Sequence, residues 1–233
     1  MPFIIPARNA PLALSRSSEA GVYALFAVAM GLTAAGVYLG TQYAALLLTS
    51  GAFIAATIAE LAIIFTAGWW SRSSPLNMLL FGLFPLLSGI TVTPYILMLL
   101  AQYANGAAIL FNAVLTTAFL SLAAAVFAKT TSWNLSGLAR GLFFGLLGLI
   151  LFAVLQIFVP ALRSSGIELI VSGAGIVLFA LFTAYDIQRQ EALARAGASP
   201  FILAIHLYLD IFNLFLMILR FMTALSGERR SSW

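Results

Sequence analysis

Glu60, Asp186 and Asp210 are carboxylic acids set in stretches whose other residues are almost all apolar. Glu60 lies between AFIAATIA and LAIIFTAGWW, Asp186 follows VSGAGIVLFALFTAY, and Asp210 sits inside FILAIHLYLDIFNLFLMIL. An ionisable group at bilayer depth costs about 2.5–3.5 kcal/mol on insertion scales, so such residues face a polar cavity, a partner or an ion. Two carboxyls close together in a low-dielectric site cannot both ionise cheaply. The pair shares a proton and titrates as a unit, which makes it a pH-responsive element. A cation would resolve the same repulsion, and clustered carboxylate oxygens from Asp186, Asp210 and Glu60 suit a hard ion such as Ca²⁺. The plainer alternative is that each acid hydrogen-bonds a neighbouring helix or pairs with an arginine. Residue types alone leave both open.

Spacing indicates whether the acids can meet. Asp186 precedes Gly197 by 11 residues and Asp210 follows it by 13. If the chain turns there as a helical hairpin, a rise of about 1.5 Å per residue puts the two within about 3 Å of one depth. Glu60 is 12 residues before Arg72, about 18 Å from that end of its own segment and close to the same level. His206, Asp210, Asn213, Met217 and Arg220 follow at intervals of 4, 3, 4 and 3, so they form one stripe on one helical face. Apart from Tyr208, the rest of 201–219 is apolar, and the stripe is expected to face the bundle interior. His206 has no second His or Cys to make a metal site and reads as a packed, hydrogen-bonded residue. Gln156 and Glu168 read as interfacial, and Trp69, Trp70 and Trp133 as interface anchors. Arg72 is a topology determinant whose side chain could snorkel inward to a carboxylate.

The elements that must position these residues are membrane-spanning helices. The chain of 233 residues is 63% hydrophobic and 8% charged, against about 25% charged in soluble domains. It contains no Cys, which removes disulfides, cysteine metal sites and thiol nucleophiles. The formal charge of +4 is not read as a nucleic-acid signal, because loop Arg and Lys orient membrane helices. Seven stretches are long and apolar enough to span: 20–40, 44–70, 76–100, 104–128, 137–160, 166–188 and 200–224. Residues 1–19 do not have the order of a cleavable signal and read as a short cytoplasmic tail. A single membrane domain then covers 20–225, with a C-terminal tail at 226–233. Ser199-Pro200 supplies a cap and a first-turn proline for the last helix.

A cytoplasmic N-terminus collects Arg8, Arg16, Arg72, Lys129, Arg140, Arg189 and Arg195 inside, leaving Arg163 in an outer loop. The cost is that Arg220, Arg229 and Arg230 lie outside if the last segment crosses fully. Its length favours the crossing. Gly36 and Gly40 in the first segment, and Gly137, Gly141 and Gly145 in the fifth, have the small-residue spacing that lets helix backbones approach. Pro85 and Pro94 are expected to kink the third.

LFTAYDIQRQ (181–190) followed by LAIHLYLDIFNLFLMILRFM (203–222) resembles the closing hairpin of the Bax inhibitor-1 family of membrane proteins. AELAIIFTAGWW (59–70) and LLSGITVTPYI (86–96) resemble that family's second and third helices, and the bacterial members are nearest in style. The resemblance implies an all-α polytopic fold of seven transmembrane helices with the last helix central. It implies a pH-sensitive calcium leak channel in which Asp186 and Asp210 are the paired-aspartate sensor and Glu60 lines the ion path. Eukaryotic relatives suppress cell death. In the bacterial pattern an arginine ending helix two locks onto the helix-six aspartate. Here Ser71-Arg72-Ser73 offers only Arg72, one step out of register.

Other classes fit less well. An intramembrane aspartyl protease would need Gly-x-Gly-Asp where Leu207-Tyr208-Leu209-Asp210 stands, and a later Pro-Ala-Leu that is absent. A retinal protein would need a lysine in the seventh helix, and Lys129 lies in a loop. No enzymatic activity and no cofactor beyond a permeant or bound Ca²⁺ are therefore expected. The partners expected are the lipid bilayer, calcium ions and other membrane proteins. A non-conducting regulator that binds membrane proteins, or modulates a membrane protease, is the alternative. A bacterial inner membrane is the expected location.

Overall fold

A computed structural model describes residues 16–49 and 51–227, where the regular structure is helical and no strand forms. The helices are α1 (Arg16–Gln42), α2 (Ala44–Thr49), α3 (Ala52–Phe65), α4 (Ala67–Trp70) and α5 (Leu76–Gln102), then α6 (Gly106–Thr130), α7 (Ala139–Phe158), α8 (Ser165–Arg195) and α9 (Pro200–Ser226). Short 3₁₀ turns at Leu135–Leu138 and Pro160–Arg163 flank α7. α1 begins inside the expected tail 1–19. Residues 1–15, and residues 228–233 of the second tail, lie outside the described residues.

Among the described residues six helices, where seven spans were expected, are each long and apolar enough to cross a membrane: α1, α5, α6, α7 with its preceding turn, α8 and α9. The expected second span, 44–70, is broken. Gly51 takes the left-handed conformation at φ 70° before α3, a backbone state that glycine adopts without steric penalty. At the other end Thr66 stops α3 and bonds its hydroxyl back to the Ala62 carbonyl at 2.6 Å. The 14 residues of α3 reach about 21 Å, short of the roughly 30 Å hydrocarbon core. An apolar run reads the same whether or not its backbone is interrupted, which is why composition did not show the break. The break also corrects the reading of Trp70. Its indole N–H donates to Ile63 O at 2.9 Å, satisfying a carbonyl near the end of α3, and the residue is only 2% exposed. Trp69 and Trp133 remain exposed, as interface anchors would be.

The broken segment still returns the chain along the bundle, because α1 and α5 run parallel. Their contact is backbone on backbone. A Cβ on Gly36 would fall 2.1 Å from Leu86 O, one on Gly89 2.1 Å from Thr33 O, and one on Gly40 2.3 Å from Thr93 Oγ1. The small-residue expectation holds for Gly36 and Gly40 and fails for Gly137 and Gly141, which meet nothing within 4 Å. Gly137 falls in the 3₁₀ turn rather than in α7. Only Gly145 of that set packs closely, against Leu178. α5 continues as helix through Pro85 and Pro94.

α9 occupies the centre. It packs on α1, α5, α6 and α8, whereas α7 packs on α8 and α3 on α5. Half of the most apolar stretch of α9 (50%) is buried, against 11% for α7. Ser199 and Pro200 start α9 as expected. The Ser199 hydroxyl does not cap the helix; it donates to Ser71 O at 2.7 Å, tying the α8–α9 turn to the end of α4. Gln188 binds the loop before α7 through Leu135 N and Trp133 O, both at 2.8 Å. Arg72, Lys129, Arg140 and Arg189 thereby share one end of the bundle.

Candidate functional site

α8 and α9 form an antiparallel hairpin, and the polar stripe of α9 runs along α8. Gly175 gives Met217 its room, since a Cβ there would lie 2.5 Å from the Met217 sulfur. Toward the far end, Arg220 Nε donates to Glu168 Oε1 at 2.5 Å. Toward the near end, His206 Nδ1 lies 3.8 Å from Asp186 Oδ2. Between these, Asp210 is 8% exposed and its Oδ2 has no hydrogen-bond partner. Asp186 is the charged neighbour within electrostatic reach of it. The hairpin thus brings together the two aspartates that the spacing placed at one depth. His206 corrects the stripe reading: its side chain is 48% exposed and lies at the mouth of the pair instead of inside the bundle.

Glu60 does not join them. Ser88 and Thr91 of α5 donate to its two oxygens, Thr91 at 3.0 Å. On the α9 side its neighbour is Tyr208, which also lies at Ser88. Tyr208 is fully buried and shares a 2.8 Å hydrogen bond with Thr33 of α1. Tyr208 and Asp210 are two residues apart, so they leave α9 roughly 200° apart around its axis. Counting residues along a helix gives depth but not azimuth, and the second segment is not straight to Arg72. Those two facts explain why three acids at one expected level divide into a pair and a separate single. Among the described residues no group of three His, Asp or Glu is placed to hold a metal ion, so a Ca²⁺ site built jointly from Asp186, Asp210 and Glu60 is not formed.

Arg72 is exposed and forms no ion pair with a described carboxylate. The basic side chains that reach Asp186 electrostatically are His206 and Arg189. Arg189 is one helical turn along α8, with its Nη1 donating to the Tyr185 hydroxyl and its guanidinium stacked 4.9 Å from that ring's centre. Asn213 is partly buried on the same stripe.

Several polar residues were not singled out in the sequence. Ser88 and Thr91 carry Glu60, but hydroxyls in an apolar helix ordinarily bond their own preceding carbonyls, as both also do here. Gln190 is 4% exposed, with neither amide atom bonded; it lies four residues beyond Asp186 on the same face of α8, a spacing that could have flagged it. Gln156 and Glu168 proved to be more than interfacial. Gln156 is buried, its amide donates to Leu162 O at 2.9 Å, and Arg163 Nε donates to its carbonyl at 2.7 Å. A cavity of about 690 Å³ opens between α1, α6 and α9, apolar apart from a few groups such as Thr33, Thr117 and Ser121. None of the three acids lines it.

A helical membrane protein with a central last helix and a buried aspartate in its closing hairpin is the class these features define. The chain belongs to the Bax inhibitor-1 family: the family model described as inhibitor of apoptosis-promoting Bax1 matches residues 16–227. An uncharacterized protein of Campylobacter jejuni is 30% identical over 222 residues, covering 92% of this chain and 93% of its own. The inner membrane protein YbhL of Escherichia coli K12 is 29% identical over 235 residues, covering 94% and 95%. A Helicobacter pylori protein is 32% identical over 164 residues, 70% of this chain and 68% of its own.

Proposed function

We propose that this protein is a pH-sensitive calcium leak channel of the Bax inhibitor-1 type, in which Asp186 and Asp210 share a proton and so set the conducting state. The observation that carries the reading is the buried Asp210 oxygen without a hydrogen-bond partner, with Asp186 on the other helix of the hairpin within electrostatic reach. An unpaired acid at that depth is costly unless a proton, a water or an ion serves it. Glu60 acts apart from the pair, on the α3–α5 side, as a group along the ion's path. The positive-inside rule supports a cytoplasmic location for the bundle end bearing Arg72, Lys129, Arg140 and Arg189, and with it a cytoplasmic start of α1. The E. coli relative supports a bacterial inner membrane as the location.

Ca²⁺ flux into liposomes bearing the purified full chain tests the proposal, measured across pH for wild type, Asp186→Asn and Asp210→Asn. Wild-type flux is expected to vary with pH, and either substitution to flatten that dependence. Flux no greater than that of empty liposomes at every pH would overturn the channel and promote a non-conducting regulator of other membrane proteins. Flux whose pH dependence survives both substitutions would remove the aspartates as its sensor.

A further inference from the structure

At the basic end of the bundle a polar pocket of about 350 Å³ lies between α8 and the loop before α7. Its chemistry is one-sided. Arg189 supplies a guanidinium, Ser132 and Ser136 supply hydroxyls, Asn134 an amide, and none of the described lining residues is acidic. The wall is fixed in place by the two bonds from Gln188 to Trp133 O and Leu135 N, and by Ser136 N donating to Asn134 Oδ1 at 3.0 Å. Because Asn134 uses its oxygen for that bond, its NH₂ group remains a donor. Arg189 bonds Tyr185 through Nη1 and is held by stacking on the ring, so its other N–H groups keep their capacity for an anion. A planar guanidinium beside hydroxyl and amide donors suits a phosphate. Trp133, 72% exposed, lines the same pocket, and exposed tryptophan at the end of a membrane bundle marks the headgroup level.

We propose that this pocket binds the headgroup of an anionic phospholipid. A single phosphodiester charge matches the single guanidinium, and a glycerol headgroup would offer its hydroxyls to Ser132, Asn134 and Ser136. A choline headgroup would instead bring a second cation toward Arg189. Basic pockets at helix ends recognise lipid headgroups in this way.

The test is native mass spectrometry of the detergent-solubilised full chain titrated with phosphatidylglycerol or phosphatidylcholine. Phosphatidylglycerol is expected to be retained at least roughly fivefold better, the scale of one cation at a lipid surface. Arg189→Gln should reduce that preference to near parity, and Ala192→Trp, which fills the pocket without changing charge, should do the same. Arg140→Gln removes an equal charge from an exposed position outside the pocket and should leave the preference intact. Melting temperature checks that each variant is folded, and if Arg189→Gln is not, Ala192→Trp decides. Equal retention of the two lipids, or an Arg140→Gln effect as large as that of Arg189→Gln, would overturn the site. Displacement of the lipid by free glycerol phosphate at comparable concentration would assign the pocket to a soluble phosphate and overturn the lipid.

Discussion

The two sides of α9 contrast sharply. Toward α1, α3 and α5 its polar groups are satisfied: Tyr208 pairs with Thr33, and Glu60 takes one hydroxyl on each oxygen. Behind that side, the α1 and α5 backbones touch directly at Gly36 and Gly89. Toward α8 the polar inventory is incomplete, with Asp210 Oδ2 and both Gln190 amide atoms unpaired. A buried polar group without a partner forfeits about 1–3 kcal/mol. One side therefore behaves as scaffold. The other holds the groups a proton or ion can act on, and the same helix carries both.

Substitutions that treat the two sides alike should give unlike results. The largest effect is expected from Gly89→Ala, whose Cβ would fall 2.1 Å from Thr33 O and force α1 and α5 apart. A loss at or beyond the upper end of about 1–3 kcal/mol for overpacking is expected in thermal unfolding. Its counterpart on the α8 side is Gly173→Ala, where the nearest atom would be Phe221 Cε2 at 3.5 Å. That variant should be neutral or slightly more stable, since alanine favours helix by about 0.5–1 kcal/mol. Equal melting shifts would abolish the distinction between the α1–α5 backbone contact and the roomier position at Gly173.

Charge removal sharpens it further. Glu60→Gln should destabilise by about 1.5–3 kcal/mol, because the amide can accept from only one of the two hydroxyls that Glu60 serves. Asp210→Asn replaces a buried acid that no donor supports and should be neutral or stabilising by about 1 kcal/mol. Opposite signs in one nanodisc melting series are the expected result; a loss at both positions would mean that Asp210 is held by a partner after all. Tyr208→Phe, which leaves Thr33 its bond to Ala29 O at 2.9 Å, should cost about 1 kcal/mol. His206→Gln is the smallest, under about 1 kcal/mol for a half-exposed pair at 3.8 Å. A larger shift there would place His206 inside the site and not at its mouth.

Much of the pair was legible beforehand. Asp186 and Asp210 flank a turn at Gly197, whose φ of 83° only glycine adopts readily, so the similar counts on either side, 11 and 13 residues, predicted similar depths. Glu60 was grouped with the pair because counting along helices gives depth and not azimuth. Gln190 was passed over because a glutamine near a helix end ordinarily reaches water. Arg72 was weighed for its charge, yet exposure decided its place, and Arg189 is the guanidinium that stands near Asp186.

By itself the sequence determined the membrane class, the hairpin and the family, because hydropathy, turn chemistry and a contiguous motif are local properties of the chain. Tertiary structure decided which apolar run would break, which glycines would touch a neighbour, and on which side of α9 each acid would lie. Those outcomes depend on what faces a residue across a helix interface, and no single helix carries that information.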